Sequence, residues 1–400
     1  MAKPVGSVCN LNCTYCYYLE KQKLFPDGPM RWTMSDKVLE AFVAQYIYSS
    51  NTPGVLFTWH GGEPIMRGMD FFKNIIKFQQ KYANGRKIEN SLQTNGTTLT
   101  DEWCIFFKDH NFLIGISIDG PEHCHDHYRK YSNGQPSFTK VMKGLELLKK
   151  HNVEFNTLSV VNDYNSKFPL EVYLFLKNIG SHYMQFTPIV ERVDTDSQQN
   201  ELSILPAGTG KAGKITDWTV GPVYYGNFLI AIFNEWVRKD VGNYFVVTFD
   251  CILANWMRVP PPLCIYAEIC GHAGVVEFNG DVYSCDHYVF PEYKLGNIEN
   301  KSLLTLMNSE LQLKFGRDKK DKLPSNCRKC EFLDLCNGEC PKNRIIFTPE
   351  GEPGLNYLCE GFKMFYSHVG PYMDFMANEL THDRAASNVM KWARSKGDNL

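Results

Sequence analysis

The sequence predicts an α/β protein: a parallel sheet, open or closed into a barrel, followed by a cysteine-rich C-terminal region. Three observations carry this. Helix and strand signals alternate regularly through the first half of the 400 residues, a pattern in which crossover helices bring parallel strands together. The alternation stops near residue 191, and beyond Asp250 the chain changes character, with nine of its 14 cysteines between Cys251 and Cys359.

Ser35 caps a helix whose apolar residues Val38, Leu39, Phe42, Val43, Tyr46 and Ile47 fall on one stripe. Val55 to Trp59 then reads as a buried strand. Asp70 opens a second helix with Phe72, Ile75, Ile76 and Phe78 inside it and Gly85 as its stop. Strands follow near 88–93, 112–118, 154–161 and 183–189, separated by helices near 101–108, 137–151 and 169–178. In such a sheet the active-site residues gather at the carboxyl ends of the strands. The stretch 191–218 is rich in Asp, Ser, Gln, Thr and Gly and reads as a long surface connection carrying the domain boundary. A helix with Phe228, Ile232, Trp236 and Val237 follows, then a hairpin over 274–286 about an Asn279-Gly280 turn, and helix from Gly361 onward. The expected division is 1–195, 196–250 as linker and connecting helix, 251–360, and 361–400 as a helical segment.

Hydrophobic residues make up 44% and aromatic residues 14% of the chain, so it buries a large core. Lys and Arg total 42 against 44 Asp and Glu, a net charge of -2. Bulk charge therefore gives no argument for nucleic acid or an anionic membrane as partner. The start, Met-Ala-Lys-Pro-Val-Gly, lacks a secretory apolar stretch, and no apolar run approaches the roughly 20 residues of a membrane span. A soluble, cytoplasmic protein is expected, and clustered thiols in such a compartment are usually metal ligands rather than disulfides.

Cys9, Cys13 and Cys16 are spaced C-x3-C-x2-C on one short loop after the first strand. Three thiolates hold three irons of a four-iron cluster and leave the fourth iron open for a ligand. A zinc site is the other reading, but structural zinc needs four ligands and the loop has no fourth Cys or His. Further on, Cys327, Cys330, Cys336 and Cys340 are spaced C-x2-C-x5-C-x3-C and followed by Cys359, with Cys264, Cys270 and Cys285 upstream. Spacing alone leaves open a pair of zinc sites here as well.

The first spacing, with Tyr15 and Tyr17 flanking Cys16, resembles the signature of the radical S-adenosylmethionine (radical SAM) enzymes. Gly61-Gly62-Glu63-Pro64, Gln93-Thr94-Asn95-Gly96 and Ser117-Ile118-Asp119-Gly120 fit that resemblance in order, each at a strand end. It implies that Gly61, Gly62 and Glu63 cradle the amino group of S-adenosylmethionine. Glycines allow close backbone approach, and Glu63 offers an acceptor to an ammonium. By the same resemblance Ser117 and Arg129 meet the carboxylate and Tyr15 the adenine end. Read without the family, Arg129 is equally a solvated charge at a helix entry, and His60 is a packed loop residue.

The second cysteine pattern resembles the SPASM extension of peptide-modifying radical SAM enzymes. The resemblance implies two auxiliary four-iron clusters, one on Cys264, Cys270, Cys285 and Cys340 and the other on Cys327, Cys330, Cys336 and Cys359. Cys104 reads as core filling, and Cys124 and Cys251 receive no role. Within these enzymes the chain is similar to the anaerobic sulfatase-maturating family over nearly its whole length, in KPVGSVCNLNCTYCYYLEK, TWHGGEP, LQTNG, ISIDGP, GHAGVVEFNGDVYSCDHYVFPEYKLGNI and CNGECPKNR. The departure is a chain that begins eight residues before Cys9, from which a short first strand is expected.

That similarity implies a partial (β/α)6 barrel with a C-terminal SPASM domain, three [4Fe-4S] clusters and S-adenosylmethionine as cofactors. The implied reaction oxidises one Cys or Ser of a sulfatase, within a Cys/Ser-x-Pro-x-Arg segment, to formylglycine. Asp286 stands where the family has its catalytic aspartate; without the family it reads as a turn residue closing the hairpin. An electron donor such as a flavodoxin or ferredoxin is implied as a second partner. The alternatives are another SPASM peptide modifier, such as a thioether-forming maturase, and a zinc-stapled peptide-binding protein without redox chemistry.

Overall fold

The structure is a computed structural model, and it describes residues 1–25, 32–197, 203–205, 213–271 and 273–396. Six parallel strands stand in chain order: β1 (Ala2–Lys3), β2 (Gly54–Trp59), β3 (Lys87–Thr94), β4 (Phe112–Ser117), β5 (Phe155–Val161) and β6 (Tyr183–Pro188). Helices α1 (Asp36–Ser49), α2 (Met69–Tyr82), α3 (Asp101–Asp109), α4 (Phe138–Lys150) and α5 (Pro169–Asn178) connect them. The alternation is thus a parallel sheet, in the partial (β/α)6 arrangement that the family similarity implied.

Local chemistry explains the elements. The Ser35 hydroxyl accepts the Val38 N–H at 3.2 Å and fixes the start of α1, whose buried face is Val38, Leu39, Phe42, Val43 and Ile47. Thr100 caps α3 in the same way on Trp103. Val55, Phe57 and Trp59 of β2 are buried and alternate with more exposed neighbours. Cys104 is wholly buried on α3 and fills core, and Cys124 and Cys251 are buried too.

The sheet does not end at the sixth strand. β7 (Phe245–Val246) adds to β6, while β8 (Val275–Glu277), β9 (Asp281–Tyr283) and β10 (Lys294–Asn297) extend the other edge. The order is β10-β9-β8-β1-β2-β3-β4-β5-β6-β7. The hairpin β8–β9 turns at Gly280, whose φ of +83° suits glycine. β1 is short, as expected, yet it pairs with both β2 and β8, parallel to each, and sets Lys3 opposite Glu277. The cysteine-rich region is thereby joined to the barrel through a shared sheet.

The stretch read as a surface connection is more structured than its composition suggests, as far as it is described. Arg192–Val193 pairs with Lys214–Ile215, and the Glu20 carboxylate accepts the N–H groups of Ser203 and Ile204 at 3.0 Å each. Residues 198–202 and 206–212 lie outside the described residues. Helix α6 (Pro222–Lys239) then crosses α9 (Cys359–Thr381) closely; a Cβ on Gly361 would stand 2.0 Å from the Pro222 carbonyl oxygen. Between them in sequence lie α7 (Val247–Trp256) and α8 (Glu310–Asp321). No helix among the described residues is long and apolar enough to cross a membrane.

Candidate active site

The three motifs at the carboxyl ends of β2, β3 and β4 converge on the N-terminal cysteine loop. Gly62 donates its N–H to the Gly6 carbonyl and Glu63 donates to Val8, both at 2.8 Å. A Cβ on Gly62 would lie 1.9 Å from the Val8 carbonyl oxygen, so only glycine lets this loop seat against the one carrying Cys9. Here the close approach is between two pieces of backbone, where the sequence had suggested backbone against a ligand. Asn95 closes the contact from β3, donating through Nδ2 to Asn10 at 2.9 Å and to the Cys9 sulfur at 3.6 Å.

Glu63 is wholly buried. Its carboxylate accepts the Asn95 N–H at 2.7 Å, the Thr94 hydroxyl at 2.8 Å and the Ile65 N–H at 3.3 Å. Burial nevertheless pushes its carboxyl up to about 7. With three donors and, among the described residues, no cation paired to it, the buried carboxylate suits a positively charged partner.

Arg129 is buried, which excludes the reading as a solvated charge. Its Nε and Nη2 face Asp119 Oδ2 and Oδ1 at 3.0 and 3.1 Å. The same carboxylate accepts the Tyr15 hydroxyl and the Val160 N–H. Against the cost of burial, Asp119 holds the Arg129 guanidinium charged. Asp119 thus gathers Tyr15 and Arg129, two residues read from sequence as separate contacts. Ser117 accepts Gln93 Nε2 at 3.0 Å on the neighbouring strand end.

The thiols fall into three neighbourhoods. Cys9, Cys13 and Cys16 act on one another electrostatically, and burial pushes Cys9 and Cys13 up to about 12. Cys264, Cys270, Cys285 and Cys340 form a second neighbourhood by the same mutual influence. Cys327, Cys330, Cys336 and Cys359 line a single cavity with Phe332, Phe362 and Tyr366. Thiols that resist ionisation when buried need a metal to become thiolates, so the donor chemistry fits a soft metal centre. Among the described residues no three His, Cys, Asp or Glu side chains converge on one point as a single ion requires.

Asp286 follows Cys285 and lies beside β1. It forms an ion pair with the wholly buried Lys3, and its Oδ2 accepts the Tyr17 hydroxyl at 2.7 Å. Burial opposes ionisation of this carboxyl, but Lys3, His60 and His287 together hold it well below the ordinary carboxylate range. These partners tie Asp286 to β1 and to the Cys16 loop as well as to its own hairpin. Lys3 also lies over the Tyr18 ring, and the Tyr18 hydroxyl donates to Glu277. A cleft beside Asp286 is lined by Tyr17, Lys21, Glu191, His287, Phe290 and Lys342. Sequence reasoning passed over Lys3, Tyr17 and Asp119. The last could have been suspected, since it stands inside a strand-end motif; Lys3 had no such mark.

Comparison with known proteins agrees with this geometry. The Radical SAM superfamily model matches residues 4–173, and the model of an iron-sulfur cluster-binding domain, SPASM, matches 269–331. The serine-type anaerobic sulfatase-maturating enzyme of Bacteroides thetaiotaomicron is 56% identical over 98% of this chain and 94% of its own length. The cysteine-type enzyme of Clostridium perfringens is 32% identical over 95% of this chain and 98% of its own. The solved structure of native anSMEcpe with bound AdoMet and Cp18Cys peptide superposes with a TM-score of 0.82 at 31% identity, covering 95% of this chain and 98% of that one. Streptococcus suis SuiB bound to S-adenosylmethionine has a TM-score of 0.57 at 14% identity over 88% of this chain and 75% of that one, a likeness of fold alone.

Proposed function

Because the chain belongs to the radical SAM superfamily and, within it, to the anaerobic sulfatase-maturating enzymes, we propose that it oxidises one Ser or Cys of a sulfatase to formylglycine, within a Cys/Ser-x-Pro-x-Arg segment. The observation that carries the reading is the hydrogen bond from Tyr17, next to Cys16, to Asp286, next to Cys285. It sets a carboxylate between a three-thiol loop and a four-thiol set.

An iron–sulfur cluster with S-adenosylmethionine bound to it supplies a hydrogen-abstracting carbon radical. Cys9, Cys13 and Cys16 would hold that cluster. Buried Glu63 suits the ammonium of the methionine end, beside Gly61 and Gly62. Arg129 and Ser117 would meet the carboxylate, and Tyr15 the adenine end, both kept in place by Asp119. The two four-thiol sets would bring the clusters to three and give the substrate's second electron a way out.

Asp286 would accept the hydroxyl or thiol proton. Lys3 keeps it ionised, so it stands ready as an acceptor but is a weak base. Proton transfer to it is therefore tied to loss of the substrate's hydrogen and electron, which makes that proton more acidic. Loss of one hydrogen atom, one proton and one electron turns CH2OH into an aldehyde. CH2SH becomes a thioaldehyde, which water converts to the aldehyde and hydrogen sulfide. An electron donor of the flavodoxin or ferredoxin kind would supply the first electron. Mass spectrometry of Ser-x-Pro-x-Arg and Cys-x-Pro-x-Arg peptides, incubated anaerobically with reduced enzyme and S-adenosylmethionine, tests the reading. Formylglycine supports it, and unmodified peptide alongside cleaved cofactor overturns it.

A further inference from the structure

The two auxiliary thiol sets are fastened to each other by a pair of buried cations that the reaction above does not use. α8 lays Lys319, wholly buried, against the loop from Cys264 to Cys270. Its Nζ donates to the carbonyls of Cys264 and Ile265 at 2.7 Å each and to that of Ala267. All three ammonium protons are thus used on one loop. One turn earlier, the Gly316 carbonyl accepts the Cys270 N–H at 3.1 Å, and a Cβ on Gly316 would lie 2.6 Å from the Cys270 carbonyl oxygen. The carbonyl of Lys319 in turn accepts Arg344 Nη1. Arg344 Nε and Nη2 donate to the carbonyls of Gly338 and Asn337 at 3.0 Å each, between Cys336 of one set and Cys340 of the other.

Carbonyls satisfy the donors of a buried ammonium but do not neutralise it, and an unpaired buried charge is costly. Burial works against the Lys319 charge and lowers its ammonium, and the groups that support the charge are Cys270, Cys340, Glu339 and Cys264. Three of those four belong to one thiol set. Glu339 is itself held by Asn343 and Asn356, at 3.0 and 2.7 Å. The counter-charge for Lys319 is therefore shared between Glu339 and what that thiol set carries once ionised.

We propose that Lys319 is a positioning residue for the cluster on Cys264, Cys270, Cys285 and Cys340, and that its charge raises that cluster's reduction potential. Reduction adds one negative charge, and a fixed cation at short range in a low-dielectric interior favours the reduced form. The inference rests on the ligand set proposed above and goes beyond it.

The test uses the full-length reconstituted protein with Lys319→Met, Lys319→Arg and Cys264→Ser, reading iron per chain and an electron paramagnetic resonance redox titration. Lys319→Arg should keep the iron and a potential near wild type. Lys319→Met that keeps its iron should show, at the wild-type midpoint, a reduced-to-oxidised ratio at least tenfold lower, a downward shift of about 59 mV for a one-electron couple. Loss of about four irons from Lys319→Met alone, with the other two signals intact, equally supports the assignment. Full iron with an unchanged potential overturns it, as does loss of all three signals, which would make Lys319 a general folding residue. If Cys264→Ser leaves every signal unchanged, the ligand set fails instead.

Discussion

Tyr17 and Asp286 lie 269 residues apart and share a hydrogen bond of 2.7 Å. The bond exists because β8 pairs with β1, which carries the turn after the hairpin to the loop of Cys16. If Asp286 is the acceptor of the substrate proton, Asp286→Asn keeps the hydrogen bond's shape and removes the basic oxygen. Formylglycine formation should fall about 100-fold to 10,000-fold. Deoxyadenosine should still form from S-adenosylmethionine, because that step belongs to the Cys9 loop. Chromatography of the nucleoside beside mass spectrometry of the peptide separates the two. Wild-type aldehyde yield from this variant would return Asp286 to a structural role.

The three thiol neighbourhoods predict separable losses. Replacing Cys9, Cys13 and Cys16 with Ala should remove cofactor cleavage and peptide oxidation while leaving about eight of about twelve irons. Replacing Cys327 and Cys330 should instead lower iron, solubility and product together, since the cavity they line would keep polar thiols without a metal. Cofactor cleavage that survives the triple replacement would contradict the assignment of the first loop.

Glu63 makes a pH-dependent contribution whose sign follows from its environment. Burial lifts its carboxyl from 4.5 to about 7, so the folded state binds a proton more tightly than the unfolded one. Its stability relative to the unfolded chain is greatest below pH 4.5 and is lost as pH rises through about 7, by about 3 kcal/mol in all. A bound ammonium offsets this. Without S-adenosylmethionine, stability should therefore drop between pH 4.5 and about 7 more steeply in wild type than in Glu63→Gln, the range spanned by the shift. The stabilisation gained on adding the cofactor should be larger at the higher pH. Thermal melts of both proteins at both pH values, with and without cofactor, measure the difference; parallel slopes would refute it.

What could be read in advance was whatever is local in sequence. The stripes of α1 and α2 and the cap at Ser35 lie within a few residues of their partners. Lys3 could not be read, because its partners Asp286 and Glu277 come from the far end of the chain and meet it only through β1–β8 pairing. Arg129 was ambiguous for a related reason. A lone arginine after a short helix is usually solvated, and its burial depends on Asp119 standing at the end of β4. The 191–218 stretch misled through composition, since Ser203 and Ile204 are held by Glu20 and not by a periodic apolar pattern.

Asp119 offers the last test. Its two oxygens serve the Arg129 guanidinium, the Tyr15 hydroxyl and the Val160 N–H, so one carboxylate fixes both ends proposed for the cofactor. Asp119→Asn keeps the size but withdraws the charge, leaving a buried guanidinium without its counter-ion. Breaking a buried pair from one side typically costs about 3–5 kcal/mol. The melting temperature should fall accordingly. In the part that stays folded, affinity for S-adenosylmethionine should weaken while the iron content of the Cys9 loop is kept. Arg129→Lys should be milder in stability, because a cation remains beside Asp119, yet it should also weaken cofactor binding, because an ammonium cannot reproduce the two-point fork. Equilibrium binding of S-adenosylmethionine to both variants decides the matter. If Asp119→Asn melts early but binds the cofactor as wild type does, Asp119 stabilises the barrel alone and the proposed roles of Tyr15 and Arg129 fall with it.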